Sequence, residues 1–315
     1  MDIEYHYYIT YLIAIKSGFE THEAYTIAYS SQFVDDNCYE YIIYNANDSQ
    51  VEYKNFISAI NEKTLNFSKL DEILIPFHFL PDVKTKDSRK DGAIHPFNTV
   101  KNSTFAEYIL INALKSGNLY WIGIATHAYV DTWAHQNFVG VLSNYNALDN
   151  FLAKLLPNIG HLDVVDKPDL VGLIWKDTRL KKVEINNVHR FTQASKKLMN
   201  MYLRFTGQCN FNKSKFISEL KFIMNNGNKN SYLDVKRLKS KRIKQYNHIV
   251  KKISNFDILN YNGHCWRDES IIRQNAKRYI WKKNAKYKKS NWFKFQESIK
   301  HHHDFVMSNL NLLSY

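Results

Sequence analysis

The sequence predicts an all-α protein, a single domain of packed helices around a buried, metal-lined pocket. Three observations carry this expectation. Only 10 Gly and 5 Pro punctuate 315 residues, too few for a many-turned β fold. Apolar residues recur at helical spacing behind plausible caps along most of the chain. No stretch rich in Gly, Ser or Pro marks a domain boundary, so residues 1–315 read as one unit. With 44% hydrophobic and 15% aromatic residues, there is enough apolar material for a core built largely on Tyr and Phe.

The elements follow in order. Residues 6–17 form a first helix, stopped by Gly18. Thr21 caps a second, THEAYTIAYSSQFVDD, on which Ala24, Ala28, Ser31 and Asp35 share a face. Small side chains there allow close packing and carry Asp35 to where the packing meets the site. Residues 40–55, rich in Tyr and Asn, predict a short hairpin or an irregular excursion. The segment 73–82, ILIPFHFLPD, is predicted extended, because Pro76 and Pro81 limit helix on either side of His78. A polar loop follows over 83–102, then a helix over 104–115 capped by Ser103, and a helix over 121–139. Gly160-His161 opens another loop, which ends at Lys167-Pro168-Asp169. Helices over 188–205, 213–225, 233–254, 268–284 and 292–310 complete the chain.

The helix over 121–139 carries the most informative run, His127-Ala-Tyr-Val-Asp131-Thr-Trp-Ala-His135. Steps of four residues keep these three side chains within about 80° of one helix face. Imidazole and carboxylate are the usual ligands of zinc and similar ions. At about 1.5 Å rise per residue, His127 and His135 lie about 12 Å apart along the axis, too far to share one ion. Asp131, about 6 Å from each, can pair with either. The stripe therefore predicts more than one metal, with Asp131 near the middle. The alternative reading is a buried polar row bonded to neighbouring backbone.

Charge divides the chain. Residues 1–170 hold 12 Lys and Arg against 21 Asp and Glu (−9), and residues 171–315 hold 31 against 9 (+22). The acidic half carries the candidate ligands. The basic half, with the run Lys236–Lys244, reads either as a solvated helix face or as an attractor of phosphate-bearing partners. Cys38, Cys209 and Cys265 are scattered, which argues for a reducing compartment and against a cysteine-ligated metal. No basic n-region or cleavage site opens the sequence, so a cytoplasmic location is expected, and no apolar run reaches the length of a membrane span.

Histidines and carboxylates recur at the edges of these elements: His6, Asp35 or Asp36, His78, His127, Asp131, His135 and His161. This ordered series resembles the ligand set of the zinc-dependent phospholipase C and fungal-type zinc nuclease superfamily, whose all-α members hold a trinuclear zinc cluster. The resemblance implies that His6 serves a third metal bridged by Asp131 to the first. Asp35, His78 and His127 would complete the first, and His135 and His161 would belong to the second. Three features depart from that pattern, the first being that those enzymes commonly space their second and third motif residues by more than the three residues between Asp131 and His135. Those enzymes use a mature N-terminal amine as a ligand, for which either Asp2 or Glu4 substitutes here or the third metal is absent. They also place a carboxylate four residues after the late His, where this chain has Val165, leaving Asp163, Asp166 or Asp169 for the role.

A longer resemblance covers nearly the whole chain. IAYSSQFVDD, IPFHFLP, IGIATHAYVDTWAHQNFVG, the residues around His161 and Asp169, VEINNVHRFTQA and WFKFQESIKHHHDFV are similar to an uncharacterised, mainly bacterial family known as a domain of unknown function.

The ligand pattern leads to an expected activity: metal-dependent hydrolysis of a phosphodiester or related ester. The cofactor would be about two or three zinc ions, or another divalent metal, and Asp35 would serve as the catalytic carboxylate. Candidate substrates are a phosphate-containing small molecule, a lipid head group or single-stranded nucleic acid. The alternative from another class is a metal-stabilised binding or interaction protein without turnover. Nucleic-acid binding through the basic half has no recognisable reader module. His95, His189, His264 and His301–His303 read as surface or supporting residues, and Ser31, Thr132 and Gln136 as possible hydrogen-bond partners of ligands.

Overall fold

The helix over Leu119–Ala134 (α5) is buried on every side from Trp121 onward, and the rest of the chain is arranged around it. The computed structural model describes residues 1–47, 50–61, 64–66, 69–82, 88–148, 159–208, 212–227, 229–258, 261–275, 278–282 and 286–313. Cys209 and the start of the expected 83–102 loop lie outside them. A π-helical turn, Glu4–Ile9, runs directly into α1 (Thr10–Lys16), and α2 (Thr21–Asp36) follows. Next come α3 (Leu70–Phe77) and α4 (Thr104–Ser116), which precede α5. The second half supplies α6 (Asn187–Thr206), α7 (Lys213–Met224), α8 (Tyr232–Ser254), the short α9 (Cys265–Ser270) and α10 (Asn291–Asn309).

The all-α expectation is corrected. Helix accounts for about 57% of the chain, but strands β1 (Ile42–Tyr44) and β2 (Val51–Lys54) join β5 (Ile271–Arg273) and β6 (Tyr279–Trp281) in a mixed sheet. Its order is β2-β1-β6-β5, with β1 and β6 parallel and the other pairs antiparallel. A second sheet is the hairpin of β3 (Ile174–Lys176) and β4 (Glu184–Asn186). Strands of three or four residues are too short for alternation to register, and the mixed sheet unites segments more than two hundred residues apart. The expected helix over 268–284 is in fact α9 followed by the β5–β6 hairpin.

Two local expectations near the site also change. The segment around His78 is helical rather than extended up to Phe77, with Pro76 in the last turn of α3 and His78 as its C-cap. The short helix tolerates Pro76 near its end. The His78 amide continues the helical pattern to the Leu74 carbonyl, 3.0 Å away. The motif helix ends at Ala134, five residues earlier than expected, with His135 as C-cap and Asn137 in the left-handed region (φ 69°). Asn tolerates that conformation, which turns the chain back.

Close packing of α2 against α5 depends on Gly123, where a Cβ would collide with the Ile27 carbonyl and the Ser30 side chain. The same approach brings the C-terminal end of α2, with Asp35, alongside His127. The main core draws on residues from Met1 to Val306, so both charge halves contribute to it. A smaller cluster around Phe79, Phe138 and Trp175 lies beneath the loops at the far end of α5.

The basic helix α8 clamps the start of the chain. Arg242, buried, holds Glu4 in a two-pronged pair (Nε–Oε1 2.7 Å, Nη2–Oε2 2.8 Å), and Tyr246 adds a hydroxyl at 3.0 Å. Lys239 binds Asp2 at 2.9 Å and Lys236 binds Asp166 at 2.7 Å. Part of the basic run thus neutralises acids of the first half. Removing one partner of a buried pair strands the other charge. We therefore predict that Arg242→Met destabilises the protein by about 3–5 kcal/mol, whereas Glu4→Leu combined with Arg242→Met recovers most of the loss. Urea unfolding measures both. A loss below about 1 kcal/mol for Arg242→Met would show that the clamp is not structural.

Candidate metal centre

Four elements converge on Asp131. The π-helical turn delivers His6, α2 delivers Asp35, the C-cap of α3 delivers His78, and α5 with its C-cap delivers His127, Asp131 and His135. The loop after Gly160 adds His161 and Asp169. These ligand-type atoms fall into three groups, each compact enough for one ion: His6, His127 and Asp131; Asp35, His78 and His127; His135, His161 and Asp169.

The distances suit shared cations. His127 Nε2 lies 3.2 Å from Asp131 Oδ2, 3.6 Å from Asp35 Oδ1 and 3.2 Å from His78 Nδ1. His78 Nδ1 is 3.4 Å from Asp131 Oδ2. On the other side, His135 Nε2 and His161 Nε2 stand 2.9 and 3.2 Å from the two oxygens of Asp169. Two ligands each about 2.0–2.1 Å from one tetrahedral ion are about 3.3 Å apart, close to most of these values.

The protonation pattern points the same way. His127 Nδ1 donates to the Ser31 carbonyl (2.7 Å), His78 Nε2 to Ser58 (2.9 Å), His135 Nδ1 to His78 (2.7 Å) and His161 Nδ1 to Val165 (2.6 Å). A carbonyl can only accept, so in each ring that nitrogen carries the hydrogen. The other nitrogen of each ring faces the carboxylates, where it can ligate a cation or, if the ring is doubly protonated, donate to them directly. Metal-ligating histidines are held by this kind of outer contact. His6 Nε2, 3.1 Å from Asp131 Oδ1, is buried with no hydrogen-bond partner. The rings are also fixed by stacking, His6 on His127 and His135 on Phe79.

The Met1 nitrogen also lies here, against Asp131 and 3.2 Å from Asp169. Asp2 and Glu4, the expected substitutes, face Lys239 and Arg242 instead. Burial works against ionising Asp131, but the Met1 ammonium and the rings of His135, His127 and His6 hold its carboxyl well below the usual range. Asp169 is held low in the same way. Asp35 is raised by burial and remains the most open of the ligand carboxylates, at 32%.

Of the three acids left open beside His161, the geometry selects Asp169. Asp163 accepts from the Leu148 amide, and Asp166 is held by Tyr232 and Lys236. Asp36 is not brought to the cluster, because its carboxylate accepts from the Tyr261 hydroxyl at 2.6 Å. Thr132 and Gln136 bond to nearby backbone, away from the ligands. Ser31 does support them, though chiefly through its carbonyl. His302 is fully buried rather than on the surface. It accepts from Trp121 Nε1 (3.2 Å) and donates to the Pro76 carbonyl (2.9 Å), tying α10 to the helix end that carries His78.

The family model of a family of unknown function, DUF6765, matches residues 1–310. The chain belongs to that family. No curated protein and no solved structure matches it, so the likeness to zinc-dependent phospholipases C and nucleases rests on the ligand series alone. Among the described residues, no helix is long and apolar enough to cross a membrane.

His127 belongs to two of the three groups, and Asp131 lies within 3.6 Å of the rings of His6, His78, His127 and His135, the position a carboxylate shared between ions would take. Asp131→Asn keeps the size and removes the charge, and should cost about one equivalent of metal or more, with thermal stability falling alongside. His95→Ala and Asp36→Asn should change neither. Unchanged metal content and stability in Asp131→Asn, with losses in His95→Ala, would contradict the assignment.

Proposed function

We propose that this protein is a metal-dependent hydrolase of a phosphodiester or related ester, with two or three zinc or similar divalent ions held by His6, Asp35, His78, His127, Asp131, His135, His161 and Asp169. The observation that carries this reading is the set of inward imidazole nitrogens, fixed by backbone carbonyls and facing buried carboxylates at ligand spacing. The centre also opens on one side. Asp35, His78, Asp131, His135, His161 and Asp169 all line a cavity of about 680 Å³, a volume suited to a small ligand. A purely structural site would be closed by protein ligands.

Bound divalent ions would bring the pKa of water to about 7 and stabilise attacking and leaving oxygens. The chain's own residues supply the rest. Asp35, partly open to the cavity and raised by burial, is placed to accept the proton of an attacking water. His135 and His161, locked by their carbonyl partners, orient the far side of the site. No Lys or Arg lines the cavity among the described residues, so beyond the Met1 ammonium, positive charge for a phosphate would come from the metals rather than from the basic half.

Elemental analysis of protein purified without a histidine tag tests the first half of the proposal, and turnover of bis(p-nitrophenyl) phosphate tests the second. The expected result is about two to three equivalents of zinc, with hydrolysis abolished by chelation and restored by zinc. Absence of metal even after reconstitution would remove the basis of the reading. Full metal loading without turnover of any phosphoester would favour a metal-stabilised binding protein.

A further inference from the structure

The cavity over the ligand atoms has an unusual wall for a phosphate site. Ile60, Leu65, Leu70, Leu74 and Val165 line it. Leu65 and Val165 are 44% and 62% exposed, large apolar side chains left open to solvent at the mouth of a polar centre. Val165 is strained as well, at φ 55°, a region that β-branched residues rarely adopt. In that conformation its carbonyl accepts the hydrogen of His161 Nδ1 at 2.6 Å. The backbone geometry that fixes a ligand ring therefore coincides with an open apolar side chain at the cavity mouth.

The remaining rim offers little to a second anion. The charged residue on that rim, Asp166, is itself an acid, and it already occupies Lys236 (2.7 Å) and the Tyr232 hydroxyl (2.6 Å). Binding of single-stranded nucleic acid calls for a cationic groove and free aromatic faces. Phe79 is the aromatic side chain of this lining, and it is 4% exposed and stacked on His135.

We propose that Leu65 and Val165 form a specificity-determining apolar rim. It admits a phosphorus ester carrying an alkyl or aryl substituent and disfavours one flanked by further phosphates. The inference rests on the phosphoester reading of the site above. Val165 has a second part through its backbone, as a positioning residue for His161.

Binding of methyl-, butyl- and hexylphosphonate to zinc-loaded protein, measured by calorimetry, tests the rim without requiring turnover. Each buried methylene should tighten binding by about three- to fourfold. Leu65→Ser should compress the gain from methyl to hexyl by about tenfold at unchanged metal content, and Val165→Gly, which retains access to the left-handed backbone, should compress it by a similar factor. An oligothymidylate should compete more weakly than hexylphosphonate. Equal affinity along the series, no binding of any member, an undiminished gain in both variants, or stronger competition by the oligonucleotide would each overturn the proposal, as would loss of metal in Leu65→Ser. Chain-length-dependent binding without hydrolysis of any phosphoester would support the rim while removing the hydrolase reading, so the two can fail separately.

Discussion

The structure depends on keeping one almost fully buried carboxylate ionised. Asp131 is 1% exposed and sits in the last turn of α5, a helix buried on every side from Trp121 onward. An isolated carboxylate in such a place would be protonated or would unfold its surroundings. Here positive charge must be gathered around it, and the arrangement of the chain follows from that need. His6 comes from the start of the sequence, His78 from the end of a proline-bearing helix, and His127 and His135 from one turn before and after on the same chain segment. No one of these elements could meet the requirement alone.

The surrounding polar contacts are built to hold those donors still. Backbone carbonyls of Ser31, Ser58, His78 and Val165 each take a hydrogen from a histidine ring of the cluster, which fixes its orientation and places a hydrogen on that nitrogen. Farther out, His302 braces the helix end before His78, and the Arg242–Glu4 pair anchors the π-helical turn that presents His6. The two charge halves are therefore not separate functions. The basic helix α8 works on the acidic half, pairing with Asp2, Glu4 and Asp166 around the site. Lys236, Lys239 and Arg242 are thus engaged within the protein rather than free for an outside partner.

The sequence was most legible where spacing along one helix determines geometry. His127, Asp131 and His135 point to a common region because a helix repeats every 3.6 residues, and the small residues of α2 announce the close approach that delivers Asp35. The helical reading overshot at His135, since Asn137 bends the chain by adopting a conformation that composition does not reveal. It failed around His78, where two prolines suggested an extended segment although Pro76 falls near a helix end that tolerates it. The mixed sheet was hidden because its strands are three or four residues long and its central pairing joins Ile43 to Tyr279. The choice of Asp169 over Asp163 and Asp166, and the exclusion of Asp36, depend on tertiary partners such as Tyr232, Lys236 and Tyr261. Spacing cannot supply these. The Met1 nitrogen carried no side-chain signal for a motif search to find.

The central claim is that the cluster around Asp131 is a metal centre, and it is most directly tested by anomalous diffraction at the zinc edge from crystals of the zinc-loaded protein. The account predicts anomalous peaks between Asp131 and the inward nitrogens of His6, His78 and His127, and between Asp169 and those of His135 and His161. Direct hydrogen bonds between these side chains, with no peak among them or with zinc bound only at surface histidines such as His95 or His264, would contradict it.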